Sequence, residues 1–225
     1  MCIRDSTYTV LYSRQPATLN YLVCSADPDL YHGTQCIDTL VEYDNRGKIR
    51  EGLATAWEWD ADSLTWTFHL RDENWVDCNG EVKEHITATD FLVGLEWVLN
   101  ASKNEANNTS MPTLYIVGAE EYYEKTKDMG AAAADLRYQD MLDAGVGVEA
   151  PDDYTLVFTC KDPCPYFDTV AAYTSFYPVA PALIEELGID GFRGCDNTNM
   201  WYCGPYIVEE YIQGNTKSYI PNPHY

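Results

Sequence analysis

The sequence predicts a mixed α/β fold, and three stretches carry that prediction. Residues 54–71 hold two alternating runs, TAWEW and LTWTFHLR, joined by the polar turn DADS, which is the pattern of an antiparallel hairpin with one buried face. Residues 86–102, ITATDFLVGLEWVLNAS, place Phe91, Leu95, Val98 and Leu99 on one helical face, with Trp97 flanking it. Residues 146–159 read as strand, turn and strand, with Val146 and Val148 before Pro151-Asp152-Asp153 and residues 154–159 after it.

The remaining elements follow in chain order. Residues 1–6 (MCIRDS) have no apolar core, read as a spurious lead-in and are set aside. Residues 7–13 alternate and carry β-branched side chains, so a first strand is expected there. Residues 29–39 suit a helix, with Leu30, Gly33, Thr34 and Ile37 on one face, continued by Leu40. LVEYD is a short strand and DNRGK a turn. In residues 64–71, Leu64, Trp66, Phe68 and Leu70 share the buried face, which makes them core rather than a stacking platform for sugars. That matters because four of the six tryptophans fall within residues 56–80. DCNGEVKEH reads as a loop turning at Gly80, and Thr87 with Asp90 as a capping-box-like helix start. NEANNTS is a polar loop. VGAEEYYEKTKDMG is a helix ending at Gly130, and AAAADLRYQDML a second short helix. A helix begins near Pro165 and runs into an extended loop, APALIEELG is another helix, and residues 203–225 form a turn and a hairpin.

Composition narrows the function. The net charge is −22 with no basic stripe, which argues against nucleic acid and against an anionic membrane surface. No run of about 18 apolar residues is present. Eight cysteines include the pairs Cys160/Cys164 and Cys195/Cys203. Neither pair has zinc-knuckle spacing, so no metal is expected. Disulfides, with Cys195–Cys203 the better candidate, and free thiols are both open readings. No nucleophile elbow, metalloprotease helix or phosphate loop occurs, and His32, His69, His85 and His224 are scattered. No catalytic residue, enzyme activity or cofactor is predicted.

A series of ordered motifs then becomes informative. These are Gly52-Leu53-Ala54 with Trp57-Glu58, residues 64–71, Trp75 with Asp77 and Gly80, and Thr87-Ala88 with Asp90-Phe91. VGAEEYY (117–123), GVEAPDDYTLVFT (147–159), PCPYF (163–167), FYPV (176–179), CGPY (203–206) and NPHY (222–225) follow. The series resembles the family 5 bacterial extracellular solute-binding proteins, the oligopeptide- and dipeptide-binding components of ABC importers. Cys78 departs from the family pattern by lengthening the acidic-Gly turn.

The resemblance implies a periplasmic-binding-protein-like fold of two lobes, of which this chain, read as an N-terminal fragment, would carry lobe one and its inserted small domain. Residues 7–43 and 147–225 would belong to lobe one and residues 44–146 to the insertion, with lobe two absent. It implies an extracytoplasmic receptor, periplasmic or lipid-anchored and monomeric, that delivers short peptides to the permease and ATPase subunits of an importer. Within the family, nickel, haem, oligosaccharide and opine ligands are alternatives. The implied cleft residues are Cys24, Ser25, Ala26 and Asp27, which would pair with the ligand backbone as an added strand. Asn107, Asn108, Ser175 and Tyr177 would be cleft walls. A carbohydrate-binding or carbohydrate-active protein is the rival, and it requires exposed Trp57, Trp59 and Trp66.

Overall fold

The computed structural model describes residues 8–11, 18–23, 27–104 and 108–225, with side chains from residue 32 in the first helix. The chain runs through α1 (Asp27–Cys36) into the antiparallel pair β1 (Val41–Tyr43) and β2 (Ile49–Glu51). Then come β3 (Ala54–Asp60), β4 (Thr65–Leu70), β5 (Asn74–Val76), β6 (Val82–His85) and α2 (Ala88–Leu99). The helices α3 (Ser110–Tyr115), α4 (Ala119–Met129) and α5 (Tyr138–Asp143) precede β7 (Val148–Asp152) and β8 (Thr155–Thr159). The chain continues with α6 (Phe167–Val170), α7 (Pro181–Arg193), β9 (Tyr206–Ile212) and β10 (Thr216–Pro221).

The largest sheet is four-stranded, in the order β3-β4-β8-β7, and antiparallel throughout. It takes two strands from each side of the expected boundary at residues 146/147, so the two segments share one sheet. The predicted alternation holds on its central strand: Trp66, Phe68 and Leu70 are buried, as are Leu156 and Phe158 opposite them. Their rings form a connected set. Phe68 meets Phe158 edge-on at 6.0 Å, and Phe158 lies 5.4 Å from Phe167 and 5.7 Å from Phe176. Trp57 and Trp59 are half-buried against the same core, with Trp59 5.7 Å from Trp66. The sugar-platform reading fails on Trp66, which is only 4% exposed.

Helix α2 crosses behind this sheet and is buried almost all round, which is how a central rather than a surface helix behaves. Trp97 does not flank its apolar face but sits inside, edge-on to Phe192 at 4.7 Å. Gly94 lets α2 approach the backbone at residue 177, because a Cβ there would stand 2.1 Å from the Tyr177 carbonyl oxygen. Gly204 likewise admits the backbone at the end of α1, where a Cβ would stand 2.6 Å from the Cys36 carbonyl carbon. The amides of Cys203 and Gly204 both donate to the Cys36 carbonyl, docking the start of β9 on α1.

Several local expectations are corrected. Residues 8–11, the described part of the expected first strand, form no strand, and Tyr8 and Leu11 are almost fully exposed. An alternating segment needs a neighbouring edge, and no described strand pairs with it. The first helix is Asp27–Cys36, earlier than expected. The stretch read as a loop is the β5–β6 hairpin, hidden from periodicity because β6 is mostly exposed on both faces while Trp75 and Val76 are buried. Thr87 makes no side-chain cap to the α2 backbone; its hydroxyl donates to the Asp90 carboxylate at 3.0 Å. The alanine run is a 3-10 turn, Gly130–Asp135, separate from α5. Helix α7 continues past the expected end and is broken at Gly188, whose φ of 69° is open to glycine.

Candidate functional site

Of the predicted ligand-facing residues, Cys24, Ser25, Ala26 and Asn107 lie outside the described residues. The backbone of Asp27 opens α1. The other three gather around the short 3-10 turn Thr174–Phe176, which packs against α1, α2 and α3. Asn108 donates from its amide nitrogen to the Thr174 hydroxyl at 2.7 Å, joining the polar loop to this turn. Ser175, next in sequence, is fully buried, and its hydroxyl has no hydrogen-bond partner. Tyr177 is likewise buried, at 1% exposed. Its ring packs edge-on against Tyr21 at 5.6 Å and lies against Gly33. Burial pushes the Tyr177 hydroxyl well above its ordinary value.

The surroundings are held by polar bonds from side chains to backbone. Tyr21 donates its hydroxyl to the Pro178 carbonyl at 3.0 Å. Asn20 donates to the Phe192 carbonyl at 2.6 Å and accepts from the Leu22 amide at 3.0 Å. The end of α7 then reaches the other side: Arg193 donates Nε to the Lys103 carbonyl at 2.9 Å and a second guanidinium nitrogen to the Ser102 carbonyl. Lys103 carries a buried ion pair, with Nζ 2.7 Å from Glu96 Oε2. The other oxygen of Glu96 accepts from Asn100 at 2.8 Å and from the Tyr122 hydroxyl at 3.1 Å. Sequence reasoning missed this network. Its signal was a glutamate inside the apolar run of α2, a charge that requires a partner once buried.

Two buried carboxyls lie elsewhere. Asp90 accepts from the Trp75 indole at 2.6 Å and is pushed up to about 7, chiefly by burial. Asp38 lies 3.1 Å from Arg71 and is also pushed up to about 7, because burial and then nearby Glu42 outweigh that cation. His32, one of the scattered histidines, is a core residue of α1, and burial pushes it down to about 3. Among the described residues no group of three or more His, Cys, Asp or Glu is placed to hold a metal. Two surface hollows, one lined by Val117, Val146, Pro151 and Thr159 and one by Ile49, Trp57 and Arg71, include none of the predicted residues. None of the described helices is long and apolar enough to cross a membrane.

The turn Thr174–Phe176 thus joins α1, α2, α3 and the polar loop at Asn108. The chain is 31% identical to the oligopeptide-binding protein AliB of Streptococcus pneumoniae, over 98% of its own length and 31% of that protein's. It is 28% identical to the oligopeptide-binding protein SarA of Streptococcus gordonii, again over 98% of this chain and 31% of the relative. The crystal structure of Haemophilus influenzae OppA in complex with RPPGFSPFR superimposes with a TM-score of 0.79 at 27% identity, covering 94% of this chain and 37% of that one. The chain therefore spans about a third of the length of the relatives it matches. The family model for bacterial extracellular solute-binding proteins, family 5 (middle), matches residues 48–225, and the chain belongs to that family.

Proposed function

We propose that this chain is part of an extracytoplasmic receptor that captures short peptides and delivers them to an ABC-type permease. One observation carries the reading: the fold matches, over 94% of this chain, that of an OppA whose structure holds RPPGFSPFR. In this reading residues 7–43 and 147–225 belong to one lobe, residues 44–146 to its insertion, and a second lobe closes on the ligand by a hinge. Residues 24–27 pair with the peptide backbone, so main-chain hydrogen bonds supply affinity while side-chain pockets stay permissive. Asn107, Asn108 and Ser175 form the neighbouring wall, and Tyr177 supports it from behind. The receptor performs no covalent chemistry, and ATP hydrolysis belongs to the importer's other subunits. It acts as a monomer in the periplasm or tethered by a lipid at the outer face of the cell membrane.

The test is calorimetric titration of the full-length gene product with a peptide mixture graded by length, alongside maltodextrins, haem and nickel salts. Saturable heat with peptides alone supports the reading. Heat with one of the others and none with peptides overturns it.

A further inference from the structure

The sequence holds a single Asn-Gly step, Asn79-Gly80, and the structure places it in the turn of the β5–β6 hairpin. Asp77 clasps that turn. Its carbonyl accepts from the Gly80 amide at 3.0 Å, and its own amide donates to the Glu81 carbonyl at 3.0 Å. Its carboxylate accepts from the Asn79 amide at 2.8 Å and from the Glu81 amide at 3.0 Å. The fold fixes Gly80 twice over. Its φ is 77°, where other residues are strained, and a Cβ there would stand 3.0 Å from the Pro223 ring. Asn79 is exposed at the tip. The hairpin must therefore keep a glycine after position 79, and the residue at 79 carries a side-chain amide that this glycine's nitrogen can attack. Asn74, by contrast, lies in β5, and the residue after it is the fully buried Trp75.

We propose that Asn79 is a self-modification site, deamidated through its own backbone neighbour at a rate gated by the Asp77 turn. The Gly80 nitrogen attacks Cγ of Asn79. The new N–Cγ bond forms, the bond from Cγ to the side-chain nitrogen breaks, and the proton lost by Gly80 leaves with that nitrogen as ammonia. The product is a five-membered succinimide. Water, the one co-reactant, then opens the ring. Attack at Cγ breaks the new bond and leaves aspartate at position 79. Attack at the main-chain carbonyl breaks the original peptide bond and leaves isoaspartate, whose chain runs through the side chain and is one carbon longer. Nothing is oxidised or reduced, and either product adds one negative charge. The gate is the bond from the Gly80 amide to Asp77, which must open before the nitrogen can turn towards Cγ. The aspartate product refits the turn. The longer isoaspartate backbone does not fit between the bonds to Asp77, and it lifts Gly80 off Pro223. That contact carries the segment after Asn222, which is itself anchored to the Gly204 carbonyl at 3.0 Å.

The experiment ages the full-length gene product at pH 8 and 37 °C beside a synthetic peptide of residues 72–83. Samples are taken over time, digested with trypsin and compared with an unaged control digested in parallel. Cleavage after Arg71 and Lys83 releases residues 72–83 as one peptide holding both Asn74 and Asn79, so Asn74 is an internal reference. Fragment masses locate the exchange of NH2 for OH, and enzymatic methylation of isoaspartate separates the two products. The expected result is conversion at Asn79, both products present, and Asn74 intact. Opening the turn costs the Gly80 bond and the two bonds to the Asp77 carboxylate, so the protein should lag the free peptide by no more than about 100-fold. Asp77→Ala removes both carboxylate bonds and should speed conversion about 2- to 12-fold. A lag greater than about 100-fold, or conversion at Asn74 as fast as at Asn79, overturns the site. A rate in Asp77→Ala no faster than in the unmodified protein overturns the gate.

Discussion

The four-stranded sheet and the wall around Thr174–Phe176 are built on opposite principles. The sheet is held by apolar rings: alternation puts Trp66, Phe68 and Phe158 on its buried face, and Phe167 of α6 and Phe176 of the adjoining turn complete the cluster. The wall is held by side chains bonded to distant backbone, as in Tyr21 to Pro178, Asn20 to Phe192 and Arg193 to Lys103. Among the described residues the Ser175 hydroxyl of its turn finds no hydrogen-bond partner. A sheet of the first kind tolerates loss of polar groups and suffers from loss of volume. A wall of the second kind should respond the other way.

The largest expected effects test that contrast directly. Phe158→Ala removes the ring that three neighbours touch and should cost about 3–5 kcal/mol in urea unfolding of the full-length protein. A loss below about 1 kcal/mol would mean that the cluster is not the core it looks to be. Lys103→Ala leaves Glu96 buried and uncompensated, and should cost about 3–5 kcal/mol as well. Its signature should differ. Amide exchange should accelerate in residues 100–104 and 108–115 before it does in β4 and β8, whereas Phe158→Ala should loosen the sheet first.

The pH dependence sharpens the same comparison at intermediate size. Asp38 and Asp90 are carboxyls whose folded values, about 7, lie above the unfolded value of about 3.9. Between those values the folded state holds more protons than the unfolded state, so stability is greatest at the acidic end and falls as pH rises towards 7. The slope reaches about 1.4 kcal/mol per pH unit for each such group. Asp90→Asn should flatten part of it while retaining an acceptor for the Trp75 indole. Equal urea midpoints at pH 5 and pH 8 in the unmodified protein would contradict the raised values.

The contrast also explains what the sequence revealed. The hairpin of β3 and β4, the pairing unit of β7 and β8, and α2 were legible because burial of alternate or every-third-and-fourth residues writes itself into the pattern. The β5–β6 hairpin was not, because β6 (Val82–His85) exposes nearly every side chain and its partner has only three residues. The motif resemblance reached the family, and the family model over residues 48–225 agrees. The wall was legible only as segments. Nothing in the spacing of Asn108 and Thr174, 66 residues apart, says that they bond, or that Arg193 reaches back 90 residues to Lys103. Tyr177 illustrates the cost. Sequence alone shows a tyrosine in a loop, and only the structure shows its ring packed against Tyr21 and Gly33.

The smallest expected effect on stability is the most informative about the wall. Ser175→Ala deletes a buried hydroxyl that bonds to none of the described residues. Removing a polar group that is buried but unpaired relieves its desolvation cost, so the unfolding midpoint should hold or rise by up to about 1 kcal/mol. If the closed receptor gives that hydroxyl a peptide carbonyl or amide, the same variant loses a net hydrogen bond of about 0.5–1.5 kcal/mol on binding. Peptide affinity should then fall about 2- to 12-fold while stability does not. Opposite movements of the two measurements place Ser175 at the ligand. Unchanged affinity in Ser175→Ala removes it from the site and leaves the orphan hydroxyl a packing defect of the turn.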